Sequence, residues 1–365
     1  MSTLREYLFS SKATKDTARR VVMGNEAADL DSMVSSIAFG YLLSLQDAAR
    51  VVLPVMPIYR ADFVLRPEAV YLFEKAGIEL DDIVFFDEVD FDILMEEGAG
   101  LVLVDHNKLG PEFAHYSSSV VGVVDHHKDE GLYGDAEPRI IQTTGSTTSL
   151  VAMEFEKKGV AFSEALAVLL GGTVLLDTVN LSRKVGRVTD LDVTVANILL
   201  PLCPLSRDEL FANIQQAKFD IRGFSTVDLL RKDYKEFHFT TVRCGIASVV
   251  LPVSRWKQMD GDLFSAFVNF AADRKLDVLL SMNAFRDPGF GRDLVVYCST
   301  EKAYDALLSY LHRISLKLSP CEDVGKRVNT KGVIGCFHQG NLDISRKKLQ
   351  PLLAQLYSQN VSPGS

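Results

Sequence analysis

The feature that most constrains the fold is an apolar run that ends in charge, Val121-Gly122-Val123-Val124 followed by Asp125-His126-His127. A strand that is apolar to its last residue and then presents an acid and two imidazoles reads as a buried parallel strand opening into a site at its carboxyl end. Two other stretches have the same form. Val21-Val22-Met23-Gly24 runs into Asn25 and then Asp29 and Asp31, and Leu101-Val102-Leu103-Val104 runs into Asp105-His106-Asn107. Strands that stop at Asp or His converge on hard oxygen and imidazole donors, a set suited to divalent metal.

The surrounding periodicity supports this. Helical spacing over 32–45, an apolar strand over 51–58, a helix over 67–76, a strand over 83–86 and a helix over 91–97 precede the strand at 101–104. Such alternation predicts a doubly wound parallel sheet, an α/β domain, to which 140–142 adds an edge strand. Helical patterns follow over 150–158 and 163–200, and Pro201 and Pro204 open a connection with its own helix at 206–217. Beyond Gly223 the order changes to β-runs at 237–242 and 245–253, a helix at 262–274, strands at 278–282 and 294–298, a helix at 303–316, a strand at 333–337 and a last helix from 345. This is α+β ordering with a mixed or antiparallel sheet. The expected division is a metal-binding domain over 1–204, a linker helix and hinge over 205–220, and a smaller α+β domain over 221–365.

Charge divides in the same way. Residues 1–200 hold 17 Lys and Arg against 31 Asp and Glu, whereas 201–365 hold 22 against 17, within a net charge of −9. An acidic half joined to a basic half suits one side that holds cations and another that meets an anionic substrate. No apolar run reaches the roughly 18 residues of a membrane span. The polar N-terminal 20 residues lack a signal core, so the cytoplasm is the expected location, with a mitochondrial leader as the lesser alternative. The five cysteines contain no C-x-x-C pair, which argues for reduced, inert thiols and against a disulfide framework or structural zinc.

Each candidate has a plainer reading. Asp29 and Asp31 would cap the helix that follows them, but capping does not explain why acids close all three strands. Asp177 sits within Val174-Leu175-Leu176-Asp177-Thr178-Val179, where an unpaired carboxylate is costly. A metal would partner it economically, and Arg183 or Lys184 would be the ordinary alternative. Adjacent on extended backbone, His126 and His127 are expected to point to opposite faces, one toward metal and the other toward substrate. His106 follows Asp105 and reads as its orienting neighbour. Ser345-Arg346-Lys347-Lys348 places cations at a helix start, where the dipole disfavours them, and this suggests an anion that Arg346 and Lys347 answer.

Together, Gly24-Asn25-x-x-x-Asp29-x-Asp31-Ser32, Val104-Asp105-His106-Asn107, Asp125-His126-His127 and Asp177 resemble the DHH phosphoesterase superfamily. The region of Lys235 and the Ser345-Arg346-Lys347-Lys348 segment resemble its DHHA2 subfamily, which includes cytosolic exopolyphosphatases, prune-type phosphatases and family II inorganic pyrophosphatases. The resemblance spans residues 20–357 and implies a DHH domain followed by a DHHA2 domain. It also implies two divalent cations, Mg²⁺ or Mn²⁺, at a site between the domains. Asp29 would hold one cation, Asp31 and His126 the other, and Asp105 and Asp177 both. His127 would lie near the transferred phosphoryl group as a catalytic residue with Asp105, Lys235 and Arg346. Asn25, His106, His127, Lys235, Arg346 and Lys347 would meet substrate. Pyrophosphatases of this type have His where Asn25 stands, and vertebrate prune has Arg where His127 stands, so exopolyphosphatase is the implied activity. A hinge near 201–220 would let the basic domain close over linear polyphosphate and exclude water. The alternatives are a pyrophosphatase, a cyclic-nucleotide phosphodiesterase, or a prune-like interaction module with residual activity. The chain is expected to act as a monomer, without nucleic acid or membrane.

Overall fold

The computed structural model describes residues 3–358 apart from 241, 287–288 and 322–324. The chain divides into Met1–Asp220 and Ile221–Ser365. In the first unit α1 (Leu4–Ala13) and β1 (Arg20–Met23) precede α2 (Leu30–Gln46), β2 (Val52–Met56), α3 (Pro67–Lys75), β3 (Val84–Phe85), α4 (Phe91–Glu96), β4 (Gly100–Val104), β5 (Val120–Asp125) and β6 (Arg139–Ile141). The helices α5 (Thr147–Lys158), α6 (Glu164–Asp177), α7 (Asp190–Leu199) and α8 (Arg207–Lys218) complete it.

The six strands pair in parallel in the order β3-β2-β1-β4-β5-β6. Alternation along each strand feeds two cores. Val22, Val102, Val104 and Val124 face α2, α5 and α6, while Val21, Met23, Leu101, Leu103 and Val123 face Phe91, Leu94 and Phe113. A sheet covered on both faces has no polar side to its strands, which is why they read as unbroken apolar runs. The helix α2 is buried from Leu30 to Leu43 and α6 from Leu166 to Leu176, so both lie inside the unit. The expected continuous helix over 163–200 is interrupted after Asp177, where Val179, Asn180 and Leu181 all take positive φ. The segment expected as a linker helix is α8, which packs into the first unit's core through Leu210 and Ile214. The polar N-terminal segment forms α1, closed by a Thr3–Glu6 capping box and buried through Leu4, Tyr7, Leu8 and Ser11.

The second unit contains α9 (Thr226–Lys232), β7 (Tyr234–Phe239), β8 (Val242–Val249), α10 (Val253–Met259), α11 (Leu263–Asp273), β9 (Val278–Phe285), β10 (Gly291–Cys298), α12 (Glu301–Arg313), β11 (Leu318–Pro320), β12 (Arg327–Asn329), β13 (Gly332–Gln339) and α13 (Arg346–Ser358). Its sheet runs β11-β13-β10-β9-β8-β7, with β12 also on β13. It is mixed: β8 and β9 are parallel and the other pairs antiparallel. The strand expected to reach 253 ends at Val249, and Pro252 instead stands at the N-cap of α10, which begins at Val253. Among the described residues, no helix is long and apolar enough to cross a membrane.

Candidate metal centre

The strand order reverses between β1 and β4, which lie side by side in the middle of the first sheet. Chains leaving their carboxyl ends diverge to opposite sides and open a crevice, the place where open α/β sheets take ligands. The loop after β1 approaches α2 so closely that a Cβ on Gly24 would stand 2.5 Å from that of Ser32. Only glycine permits this approach, which brings Asn25, Asp29 and Asp31 to the end of β4.

Asp105 occupies the centre. It leaves β4 with φ 62°, a left-handed conformation that costs energy and that Asp tolerates better than most residues. Its Oδ2 accepts from Asn25 Nδ2 at 2.7 Å and Ser32 Oγ at 2.7 Å, and its Oδ1 accepts from Thr147 Oγ1 at 3.1 Å. His126 Nε2 lies 3.3 Å from Asp105 Oδ1 and 4.0 Å from Asp31 Oδ2. The Thr144 carbonyl engages His126 Nδ1 at 3.0 Å, so Nε2 is the atom presented to the acids. Asp31, 3% exposed, accepts the backbone N–H groups of Thr147 and Thr148 at 2.6 and 2.9 Å, at the start of α5. Asp29 caps α2, accepting from Ser32 N at 3.1 Å. Capping and gathering therefore coexist in the same residue.

The two histidines depart from the expected opposite orientation. Both follow Asp125, the last residue of β5, so strand alternation no longer governs them. His127 folds back, with Nδ1 2.8 Å from Asp125 Oδ1, and the two rings meet edge to face at 4.5 Å. Asp105, His126 and His127 each offer a ligand atom within 4.8 Å of the others.

Asp177 ends α6 with Oδ2 shut off from solvent and without a hydrogen-bond partner. The alternative partner Arg183 is engaged by Asp190 at 2.6 Å. Burial, then the charges of Asp29 and Asp105, push the Asp177 carboxyl up to about 7. Burial and Asp105 also raise Asp29, while burial, Asp105 and Asp177 raise Asp31 well above the usual range. Burial alone would lower His126, but the hydrogen bond to Asp105 and the charge of Asp31 outweigh it and lift the imidazole to about 9. Three carboxyls raised by burial and by neighbouring negative charge, one with an orphaned buried oxygen, are relieved by positive charge. The donor set therefore fits divalent cations.

Of the other residues expected to meet substrate, Asn25, His106 and Arg346 have structural partners. Asn25 uses both ends of its amide: Nδ2 donates to the Asp105 carbonyl at 3.0 Å as well as to Oδ2, and Oδ1 accepts from Ala27 N at 2.8 Å. It positions Asp105. His106 Nδ1 meets the Val104 carbonyl at 2.9 Å, and burial lowers its pKa. In the second unit Lys235 is exposed on β7, and Lys347 is exposed on the first turn of α13. Arg346 donates to the Asp233 carbonyl at 2.7 Å and to its carboxylate at 2.6 Å, beside the start of β7.

Asp192 was not singled out from sequence, and Asp125 was read there only as an acid at a strand end. Asp125 is fully buried and fixes both His127 and Asn107. Asp192, also buried, accepts from Gly145 N at 2.8 Å, Ser149 Oγ at 2.7 Å, and Thr189 N and Oγ1 at 2.7 Å each. It thereby anchors the turn that delivers Thr147 to Asp105. The small-residue run 145–149, just ahead of the helical pattern at 150–158, was the available signal.

Fold and site define an α/β protein with a cation-type donor set at its switch point and a mixed-sheet unit behind it in the chain. The model of the DHH family, N-terminal domain, matches residues 19–173, and that of the DHHA2 domain matches 212–356. A Schizosaccharomyces pombe protein, provisionally described as an exopolyphosphatase, is 35% identical over 356 residues, covering 93% of this chain and 91% of the relative. Mouse "Exopolyphosphatase PRUNE1" is 32% identical over 370 residues, covering 97% and 79%. The chain belongs to the DHH/DHHA2 family of prune-type proteins. The crystal structure of a Methanococcus jannaschii protein assigned to the family II inorganic pyrophosphatases shares the fold, with TM-score 0.54, 21% identity, and coverage of 93% of this chain and 99% of that one.

Proposed function

We propose that the protein is an exopolyphosphatase, hydrolysing the terminal phosphoanhydride of linear inorganic polyphosphate and releasing orthophosphate. The observation that carries this reading is the gathering of Asp29, Asp31, Asp105, Asp177 and His126 at the switch point, with the Asp29, Asp31 and Asp177 carboxyls raised by burial and by neighbouring charge. Such a cluster requires cations, and cations held by a protein attract a polyanionic substrate. The names of the relatives in S. pombe and mouse support the same substrate class.

Asp29, Asp31, Asp105, His126 and Asp177 would hold two divalent cations, Mg²⁺ or Mn²⁺. Bound there, the cations supply an ionised water at neutral pH and neutralise phosphoryl oxygens. The remaining work falls to the chain. Ser32, Asn25 and Thr147 fix Asp105 in one orientation. The hydrogen bond that His127 donates to Asp125, reinforced by the carboxylate's charge, outweighs burial and raises the His127 pKa. A protonated His127 donates through Nε2 to a phosphoryl oxygen as charge develops there. Lys235, Arg346 and Lys347 bind the outlying phosphates of the chain, so charge rather than shape selects a polyphosphate. No Ser or Cys nucleophile is needed, because water attacks in line. The family II fold favours diphosphate as the second reading.

Phosphate release measured side by side from polyphosphate, tripolyphosphate, diphosphate and cyclic AMP, first with Mg²⁺ and then Mn²⁺, tests the assignment. Fastest turnover is expected on a linear polyphosphate. Fastest turnover on diphosphate, or on cyclic AMP, would overturn it.

A further inference from the structure

The second unit contains another group of donors. Antiparallel register places Asp293 of β10 opposite His338 of β13. On the other side of β13, Pro320 opposes Phe337, and Cys321 N donates to the Cys336 carbonyl at 3.0 Å, so Cys321 continues the pairing. His338 Nδ1 lies 2.7 Å from Asp293 Oδ1 and 3.7 Å from Cys321 Sγ. Asp293 and Cys321 are buried at 2% and 6% exposure, while the His338 side chain is 60% exposed. The second Asp293 oxygen accepts from Val253 N at 2.9 Å, which holds the carboxylate in place.

A nucleophilic Cys-His-Asp triad requires the thiol and the acid on different imidazole nitrogens. Here both meet Nδ1, so no proton can be relayed between them. A shared ion explains the convergence better. Around tetrahedral zinc, Zn–S near 2.3 Å and Zn–N near 2.05 Å put sulfur about 3.6 Å from nitrogen. The observed 3.7 Å already meets this, and the exposed imidazole need only swing about 0.7 Å away from Asp293. We propose that Asp293, Cys321 and His338 form a second, independent metal site, selective for zinc or a similar borderline divalent ion.

Its chemistry differs from that of the first unit's site. One thiolate, one imidazole and one carboxylate favour zinc over Mg²⁺ or Mn²⁺, which prefer oxygen-rich sets. The Cys336 thiol lies within hydrogen-bonding reach of Cys321 and can donate to its sulfur, an outer partner of the kind that supports a metal thiolate. The fourth coordination position belongs to water, which reaches it beside His338. Such an ion ties the three-residue edge strand β11 to β13 and β10.

The test uses the whole protein, chelator-treated, kept reduced, and supplied with excess Mg²⁺. It is titrated with Co²⁺ as the spectroscopic substitute for zinc. One equivalent should produce a sulfur-to-cobalt charge-transfer band that Zn²⁺ then abolishes. Cys321→Ser should remove the band. His338→Ala, an exposed position that spares the fold, should weaken binding about ten-fold or more. Asp105→Asn should leave the band intact. Absence of the band from the reduced wild-type protein, its survival in Cys321→Ser, or its loss in Asp105→Asn would overturn the proposal. Formation of a Cys321–Cys336 disulfide in place of cobalt binding under the same reducing conditions would do so as well.

Discussion

Replacing Asp177 by Asn should stabilise the metal-free protein while disabling it. The Asp177 carboxyl, at about 7 against 3.8 ordinarily, is raised chiefly by burial and then by Asp29 and Asp105. Between about pH 4 and pH 7 the folded chain keeps a proton that the unfolded chain has released, so stability falls as pH rises. At about 1.4 kcal/mol per unit, the loss grows to about 4 kcal/mol by neutral pH and stays constant above it. Asparagine avoids that cost and can keep the Ser146 hydrogen bond, but leaves one end of its buried amide unsatisfied, a loss of about 1–2 kcal/mol. The difference leaves the variant about 2–3 kcal/mol more stable at about pH 8, and nearly level with wild type at about pH 5. Urea midpoints in chelator at the two pH values measure this. Added Mg²⁺ or Mn²⁺ should then restore stability to wild type and much less to the variant, whose turnover falls about 10³-fold from the loss of several kcal/mol of cation-dependent stabilisation. A metal-free variant that is less stable at the higher pH, or that shows the same pH dependence as wild type, would refute the reasoning.

Asp192→Ala should destabilise the fold by about 3 kcal/mol or more, because it abandons several buried donors. A urea titration reads that loss, and turnover should fall with the displaced Thr147. Asp125→Asn removes the negative charge that helps raise His127 and leaves only a neutral acceptor, so the alkaline limb of the kcat/KM profile should move to lower pH, whereas an unmoved limb would dissociate His127 from catalysis. Arg346→Ala should raise KM for polyphosphate about ten-fold and leave cation affinity unchanged, the effect of removing one charge-assisted hydrogen bond to a phosphate. Equal KM in both proteins would place Arg346 solely with Asp233.

The three strand ends were legible because burial on both faces makes a parallel strand a continuous apolar run, and only a site interrupts it with Asp or His. Helix positions such as α2 and α11 were legible from spacing. Short elements such as α9, α10 and β12 were not, because their residues are decided by the neighbours they pack against. The orientation of His127 was hidden for a related reason: it lies just past a strand, where periodicity no longer dictates direction.

Sequence alone therefore determined that the first unit is a doubly wound sheet, that the second unit is α+β, and that carboxylates and imidazoles close the central strands. Tertiary structure decided which strands are neighbours, placing β1 beside β4 and making their ends one site. It also decided that Asn25 serves Asp105, that Asp192 anchors a turn 47 residues before it, and that Asp293, Cys321 and His338 meet at all. Local sequence patterns record which face of an element is buried. The partner on that face is chosen by chain packing across dozens of residues, and no local period carries that choice.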